Sequence, residues 1–190
     1  MNYTKVIAVS GASGSGKTTI VKLLAEKLSC PFLLFDDHTS NDTYPKSMST
    51  WLKDGANVSV IKTPKLVNAL DKLVVLDKNR YIFVEEPFGK ERKSISTLID
   101  YVILLDQPLE LCLSRIIKRH TNQSNIDPVN SVSNFLDKYD DHMRDVYIST
   151  VNQVRVNCDL IINKTASIKQ TVDVISKWLQ KQTNKQINKD

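Results

Sequence analysis

The sequence predicts an α/β fold, a three-layer sandwich around a five-stranded parallel sheet. Three observations carry that prediction. Short apolar runs alternate with longer stretches of helical periodicity, the pattern left by successive βαβ units. The runs are continuous rather than alternating, as expected of strands covered by helices on both faces. A chain of 190 residues with 41% hydrophobic content also has enough apolar material for one well-buried core.

Taken in order, the candidate strands are Lys5 to Val9, Phe32 to Phe35, Tyr81 to Val84, Tyr101 to Leu105 and Leu160 to Ile162. A helix is predicted over Lys17 to Leu28, where Ile20, Leu24 and Leu28 share one face. Thr63-Pro64 opens a second helix, because proline is pre-set for the first helical position. A third begins at Pro108, a long one covers Val132 to Cys158, and the last runs from Ile168 to Leu179. One domain is expected over residues 1–180, followed by a frayed polar tail at 181–190. Residues 39–63 and 121–130 lack clear periodicity and read as substrate-covering insertions.

Composition narrows the function. Charged residues make up 25% and the net charge is +5, but no block of consecutive basic residues forms a nucleic-acid footprint, so no nucleic-acid partner is expected. Three widely spaced cysteines, Cys30, Cys112 and Cys158, suit a reducing compartment. No apolar run reaches the roughly 18 residues of a membrane span. The first residues lead straight into a glycine-rich loop with no secretory pattern. A soluble cytoplasmic protein without membrane contact is the expectation, with room left for a homo-oligomer.

Gly11-Ala12-Ser13-Gly14-Ser15-Gly16-Lys17-Thr18 matches GxxxxGK[ST] in full, directly after a strand and directly before a helix. Glycines let the loop curl so that its N–H groups converge on phosphate oxygens, and the helix N-terminus adds partial positive charge. Lys17 can then bridge the β- and γ-phosphates, Thr18 can ligate Mg²⁺, and Thr19 can reach the α-phosphate. ATP and Mg²⁺ are therefore the expected cofactors. A GTPase would need DxxG and NKxD, an ABC ATPase its LSGGQ-like signature, and an AAA-type motor a further helical domain. The first two patterns are absent and the length argues against the third, which leaves a small-molecule kinase.

Phe35-Asp36-Asp37-His38 stands at the end of the second strand, Tyr81 to Glu85-Glu86-Pro87-Phe88-Gly89 ends the third in carboxylates, and Asp106-Gln107-Pro108-Leu109 leads into a helix bearing Arg115 and Arg119. These segments resemble those of the uridine kinase, nicotinamide riboside kinase and phosphoribulokinase group of P-loop kinases. The resemblance covers residues 5 to 180 and is loosest over 39–63. It implies a P-loop nucleoside/nucleotide kinase fold, with Asp36 as the acceptor's catalytic base, Asp37 and His38 on the substrate side, and Glu85 as a metal-side carboxylate. It further implies lid arginines at Arg115 and Arg119, four apart and so on one helical face, in a lid over 115–131. Departures are His38 for an aromatic, Glu86-Pro87 for glycine, and a polar stretch after His120 for the usual lid sequence.

Other readings of the same residues stay open. Asp36 and Glu85 could cap helices, the arginine pair could be a solvated face, and Asp106 could cap the helix that follows it. Tyr44 and Trp51 could stack on a substrate ring or pack in the core. Glu86, at the position of the missing glycine, is counted with Tyr44 among substrate-side candidates. The reading is a transferase moving the γ-phosphoryl of MgATP to a hydroxyl of a nucleoside, riboside or related metabolite. The alternative is a regulatory P-loop ATPase without small-molecule kinase activity.

Overall fold

The computed structural model describes residues 4–76, 79–122 and 127–187. Strand β1 (Lys5–Ser10) lies at the centre of a five-stranded parallel sheet ordered β2-β3-β1-β4-β5, with β2 at Phe32–Leu33, β3 at Tyr81–Glu85, β4 at Tyr101–Leu105 and β5 at Leu160–Ile162. Because side chains alternate along a strand, each continuous apolar run feeds two cores. Val6, Ala8, Ile82, Val84, Val102 and Leu104 face one side, where helices α3 (Pro64–Leu76) and α6 (Arg144–Asn157) add Leu66, Leu70, Val146 and Val154. Ile7, Val9, Phe83, Ile103 and Leu105 face the other. There α1 (Lys17–Leu28) adds Ile20 and Leu24, and α7 (Ile168–Ile187) adds Ile175 and Leu179. This is the predicted three-layer sandwich.

Four elements differ from the sequence expectation, each for a local reason. Strand β2 stops at Leu33, because Phe35 has already turned into the helical region (φ −59°, ψ −47°) to start a single 3₁₀ turn over Asp36–His38. The aperiodic insertion contains a short helix, α2 (Met48–Lys53), capped by the Ser47 side chain accepting from Thr50 N–H. After α4 (Leu109–Thr121), the single helix expected over Val132 to Cys158 is two, α5 (Pro128–Lys138) and α6. Helix α5 is capped by Asp127, and a π turn over Tyr139–Met143 carries the chain on into α6. Residues 123–126 of the expected lid lie outside the described residues.

The polar tail is helical as far as Ile187. Ser167 and Gln170 begin α7 with a reciprocal capping box, Gln170 N–H donating to Ser167 Oγ and Ser167 N–H to Gln170 Oε1. Near its other end, Thr183 Oγ1 lies 2.8 Å from the Tyr81 hydroxyl at the base of β3. That contact gives the continued helix a tertiary anchor the sequence pattern does not display.

Beneath the C-terminal end of β3, Glu86 and Arg92 form an ion pair with both side chains fully buried. Arg92 Nε and Nη2 donate to the two oxygens of Glu86 at 3.0 and 2.5 Å, while Nη1 donates to Ile61 O and Thr63 Oγ1. Its guanidinium also lies 5.2 Å from the centre of the Phe35 ring. Glu86 is therefore not a substrate-side residue: its carboxylate is wholly engaged inside the protein, and that correction removes one of the sequence candidates. Removing one partner of a buried pair leaves the other charge uncompensated, at a cost of about 3–5 kcal/mol. Arg92→Met should thus lower stability by about that amount in urea unfolding, and adding Glu86→Gln should recover part of the loss. An Arg92→Met protein as stable as the wild type would remove the pair from this structural role.

Candidate functional site

The C-terminal ends of β1, β2 and β3 open onto one cavity of about 650 Å³. The parallel register sets Val9 beside Glu85, so the loop after β1 and the carboxylate ending β3 emerge side by side. Two cross-links hold that edge: Glu86 N–H donates to Val9 O, and Ser10 Oγ donates to Glu86 O. A strand-end crevice is where open α/β sheets bind ligands.

The glycine-rich loop keeps its shape for two separable reasons. At Gly14 a Cβ would sit 2.3 Å from the Cys112 carbonyl oxygen, so only glycine lets α4 pack this closely on the loop. At Gly16 the space is open, but φ is +105°, a conformation that side chains strain to adopt. From α4, Arg115 Nη1 donates to the carbonyls of Gly14 and Ser15 at 3.1 and 3.3 Å, pinning the loop from outside. From α6, Tyr147 reaches the same cavity as the loop.

Lys17 is only 8% exposed, yet among the described residues its ammonium makes one hydrogen bond, to Ala12 O at 3.0 Å, with Glu85 Oε1 at 3.9 Å. An ammonium has three donors. Burial pushes its pKa down, while Glu85 and then Asp36 work against that shift. Glu85 is pushed up by burial, opposed by Lys17 and by a hydrogen bond from Thr18. That bond runs from Thr18 Oγ1 to Glu85 Oε2 at 2.8 Å.

These residues fit a magnesium nucleotide. A buried, under-bonded ammonium beside a glycine-rich loop suits phosphate oxygens. One hydroxyl and one carboxylate suit Mg²⁺, which takes few protein ligands and fills its shell with water and phosphate. Among the described residues no cluster of three or more His, Cys, Asp or Glu could cage a metal by itself.

Of the sequence candidates, Gly11 to Gly14, Gly16 to Thr19, Asp36, Tyr44, Glu85, Arg115 and Arg119 all line this cavity. Ser15 does not; its buried hydroxyl has no hydrogen-bond partner among the described residues. Asp37, His38 and Glu86 are absent from the lining as well. Phe35, fully buried against Phe88, Tyr44 and Arg92, anchors the turn that presents Asp36. Burial, followed by the Asp36 carboxylate, pushes the Tyr44 phenol up to about 12.

Trp51 is buried and donates through Nε1 to Asn57 O, so it packs the insertion. Asp106 does not cap α4; it receives Arg155 from α6 at 2.8 Å. His120 Nδ1 lies 2.7 Å from Ser131 Oγ, joining α4 to α5.

Sequence reasoning missed Arg92, Tyr147, Met48 and Met143. The last three reach the cavity from elements whose placement only the fold reveals. For Tyr147 a signal existed, since it falls on the apolar stripe of the predicted long helix.

Comparison with known proteins agrees with this geometry. Uridine kinases from Staphylococcus epidermidis and Staphylococcus aureus are 22% and 24% identical to it, aligned over 97% and 98% of this chain and all of theirs. A Schizosaccharomyces pombe uridine kinase is 24% identical over 93% of this chain and 44% of its own length. Among solved structures, shikimate kinase from Acinetobacter baumannii superposes with a TM-score of 0.50 at 17% identity, covering 95% of this chain and 96% of that one. Thermus thermophilus TT1252 reaches 0.57 at 16% identity, covering 93% and 98%. A family model described as "AAA domain" matches residues 7–161, from within β1 into β5 and so the sheet and its phosphate loop. The match reopens the AAA class that chain length had set aside, as a kind of domain rather than a motor. With more than half its length matched, the chain belongs to the AAA domain family of P-loop proteins.

Proposed function

We propose that the protein is an ATP-dependent phosphotransferase that moves the γ-phosphoryl of MgATP to a hydroxyl of a nucleoside, riboside or related metabolite. One observation carries the reading: a single cavity holds the phosphate loop with its under-bonded Lys17 and, beyond it, the Asp36 carboxylate. The relatives named uridine kinase support the same direction. Two departures favour a non-kinase ATPase, His38 for an aromatic and Glu86-Pro87 for glycine, and the buried pair with Arg92 gives Glu86 a structural reason.

In this proposal each residue has a stated task. Loop amides and Lys17 hold the donor phosphates, and Thr18 and Glu85 hold magnesium, which screens phosphate charge when bound. Arg119 faces the charge that spreads over the transferring group, while Arg115 keeps the loop and α4 together. Asp36 orients the acceptor hydroxyl and takes its proton. The reaction belongs in the cytoplasm, where MgATP is supplied.

The test of the reading is acceptor-dependent ADP release with MgATP across hydroxyl-bearing metabolites; ATP hydrolysis indifferent to every acceptor would overturn it. Three variants refine it. Lys17→Ala should abolish transfer in a folded protein, and near-normal turnover would sink the proposal. Asp36→Asn should cut kcat by roughly 10²- to 10⁴-fold, the usual contribution of a positioned base, with ATP affinity by calorimetry nearly unchanged. Loss of nucleotide binding in that variant would make Asp36 structural instead. Glu85→Gln should shift the Mg²⁺ concentration for half-maximal rate upward, whereas superimposable Mg²⁺ curves would take Glu85 out of the metal site.

A further inference from the structure

A second cavity, of about 690 Å³, is built entirely from the insertion. Pro45, Trp51 and Val60 give it apolar surface, and Lys46 and Asp54 give it charge. Among the described residues, Tyr44 is the one residue that lines both cavities. Helix α2 continues the wall between them, with Met48 on the first cavity and Thr50 and Trp51 on the second. Tyr44 is held by its own segment and from behind. The preceding residue, Thr43, is buried: its N–H donates to Ser40 O, its Oγ1 accepts from Ser40 N–H at 2.8 Å, and its carbonyl accepts from Lys62 N–H at 3.0 Å. The Tyr44 ring lies 6.3 Å from that of Phe35, which is fully buried and cannot give way. Tyr44 as a whole is 44% exposed, yet burial at its phenol end, followed by the Asp36 carboxylate, pushes the hydroxyl up to about 12. The groups acting on that hydroxyl, Asp36, Tyr147, Glu86 and Arg92, all belong to the first cavity or to the floor beneath it.

We infer that Tyr44 sets the size limit of the acceptor, standing as a fixed partition between the cavity that holds Asp36 and the cavity within the insertion. The inference rests on the kinase reading and deepens it. An acceptor whose hydroxyl sits at Asp36 has its body beside Tyr44, and a substituent extending that way meets the ring. Without the ring, the same substituent would pass into a space of comparable volume, 690 against 650 Å³. A pocket selects by building a clash against the longer ligand as well as contacts to the shorter one. Tyr44 is in this sense a specificity-determining residue.

The experiment uses the whole chain with uridine and two longer forms of it, carrying a hexyl chain that ends in a hydroxyl at ring carbon C5 or at ring nitrogen N3. Wild type, Tyr44→Ala, Tyr44→Phe and Tyr44→Ala combined with Thr50→Trp are compared. Each is assayed for ADP release with MgATP and, by calorimetry, for binding in the presence of a non-hydrolysable ATP analogue. The quantity read is the ratio of each longer form to uridine, so that a general effect of a substitution on folding or turnover cancels. Tyr44→Leu, which keeps a side chain against Phe35, replaces Tyr44→Ala in both places if that variant does not fold. Wild type should favour uridine by about tenfold or more, an effect that a misfit of one methylene can already produce. Tyr44→Ala should raise the ratio by a similar factor for at least one longer form. Tyr44→Phe keeps the ring and should hold the wild-type ratio, and Thr50→Trp, by filling the second cavity, should reverse the gain. A Tyr44→Ala ratio equal to that of wild type for both longer forms, or a gain that Thr50→Trp leaves intact, overturns the inference. If uridine is turned over while the ratios stay level, the kinase reading stands and the partition falls. Binding ratios in the expected order without ADP release support the partition and remove the kinase reading. If no form binds any of the proteins, the inference falls.

Discussion

Arg92 is the side chain on which the Asp36 side of the cavity is organised. It is fully buried and reaches the residue after β3, the end of the insertion at Ile61 and Thr63, and the ring of Phe35. Two of these contacts adjoin a cavity residue: Glu85 precedes Glu86, and Asp36 follows Phe35. A guanidinium suits the task because its planar fork holds a carboxylate bidentately and still has donors for a carbonyl and a hydroxyl. Desolvating two charges is costly, and such pairs are weak evidence for stability as such. Here the pair fixes where three chain segments meet, which an apolar replacement of equal volume would do with less directional control.

The phosphate side is organised differently, by backbone. Parallel pairing of β1 with β3 sets the loop against Glu85, and glycine at position 14 lets α4 close on the loop from the other side. Arg115 then ties α4 to the loop carbonyls of Gly14 and Ser15. The loop side and the Asp36 side of the cavity are thus built by separate devices that share one sheet edge. The Asp36 carboxylate is one of the charges that oppose the burial shift on Lys17. The π turn at Tyr139–Met143 brings Met143 onto the cavity wall, and π turns recur at functional sites.

Much of this was legible in the residues. All five strands are continuous apolar runs, and the loop motif sits between a strand and a helix whose bounds the periodicity marks. What escaped the sequence depends on geometry across long separations. Nothing local tells Glu86 to choose Arg92, or joins Asp106 to Arg155 across 49 positions. The helical tail was hidden because its anchor is Tyr81, distant in sequence from Thr183. Helix α5 and the π turn share one periodic pattern with α6, and a single π turn shifts the face without breaking the apolar stripe. Placing Glu86 among substrate residues was an error of position: adjacent carboxylates at a strand end point opposite ways, so one enters the cavity and the other the floor.

The most direct measurement is a crystal structure with MgADP and a riboside bound together. The account predicts the nucleotide phosphates on the loop beside Lys17, and magnesium against Thr18 and Glu85. The riboside hydroxyl should lie within about 2.6–3.2 Å of an Asp36 oxygen, the reach a general base requires, with its ring against Tyr44, Met48 and Tyr147. A riboside bound elsewhere on the molecule, or seated in the cavity with its hydroxyls turned away from Asp36, would contradict it.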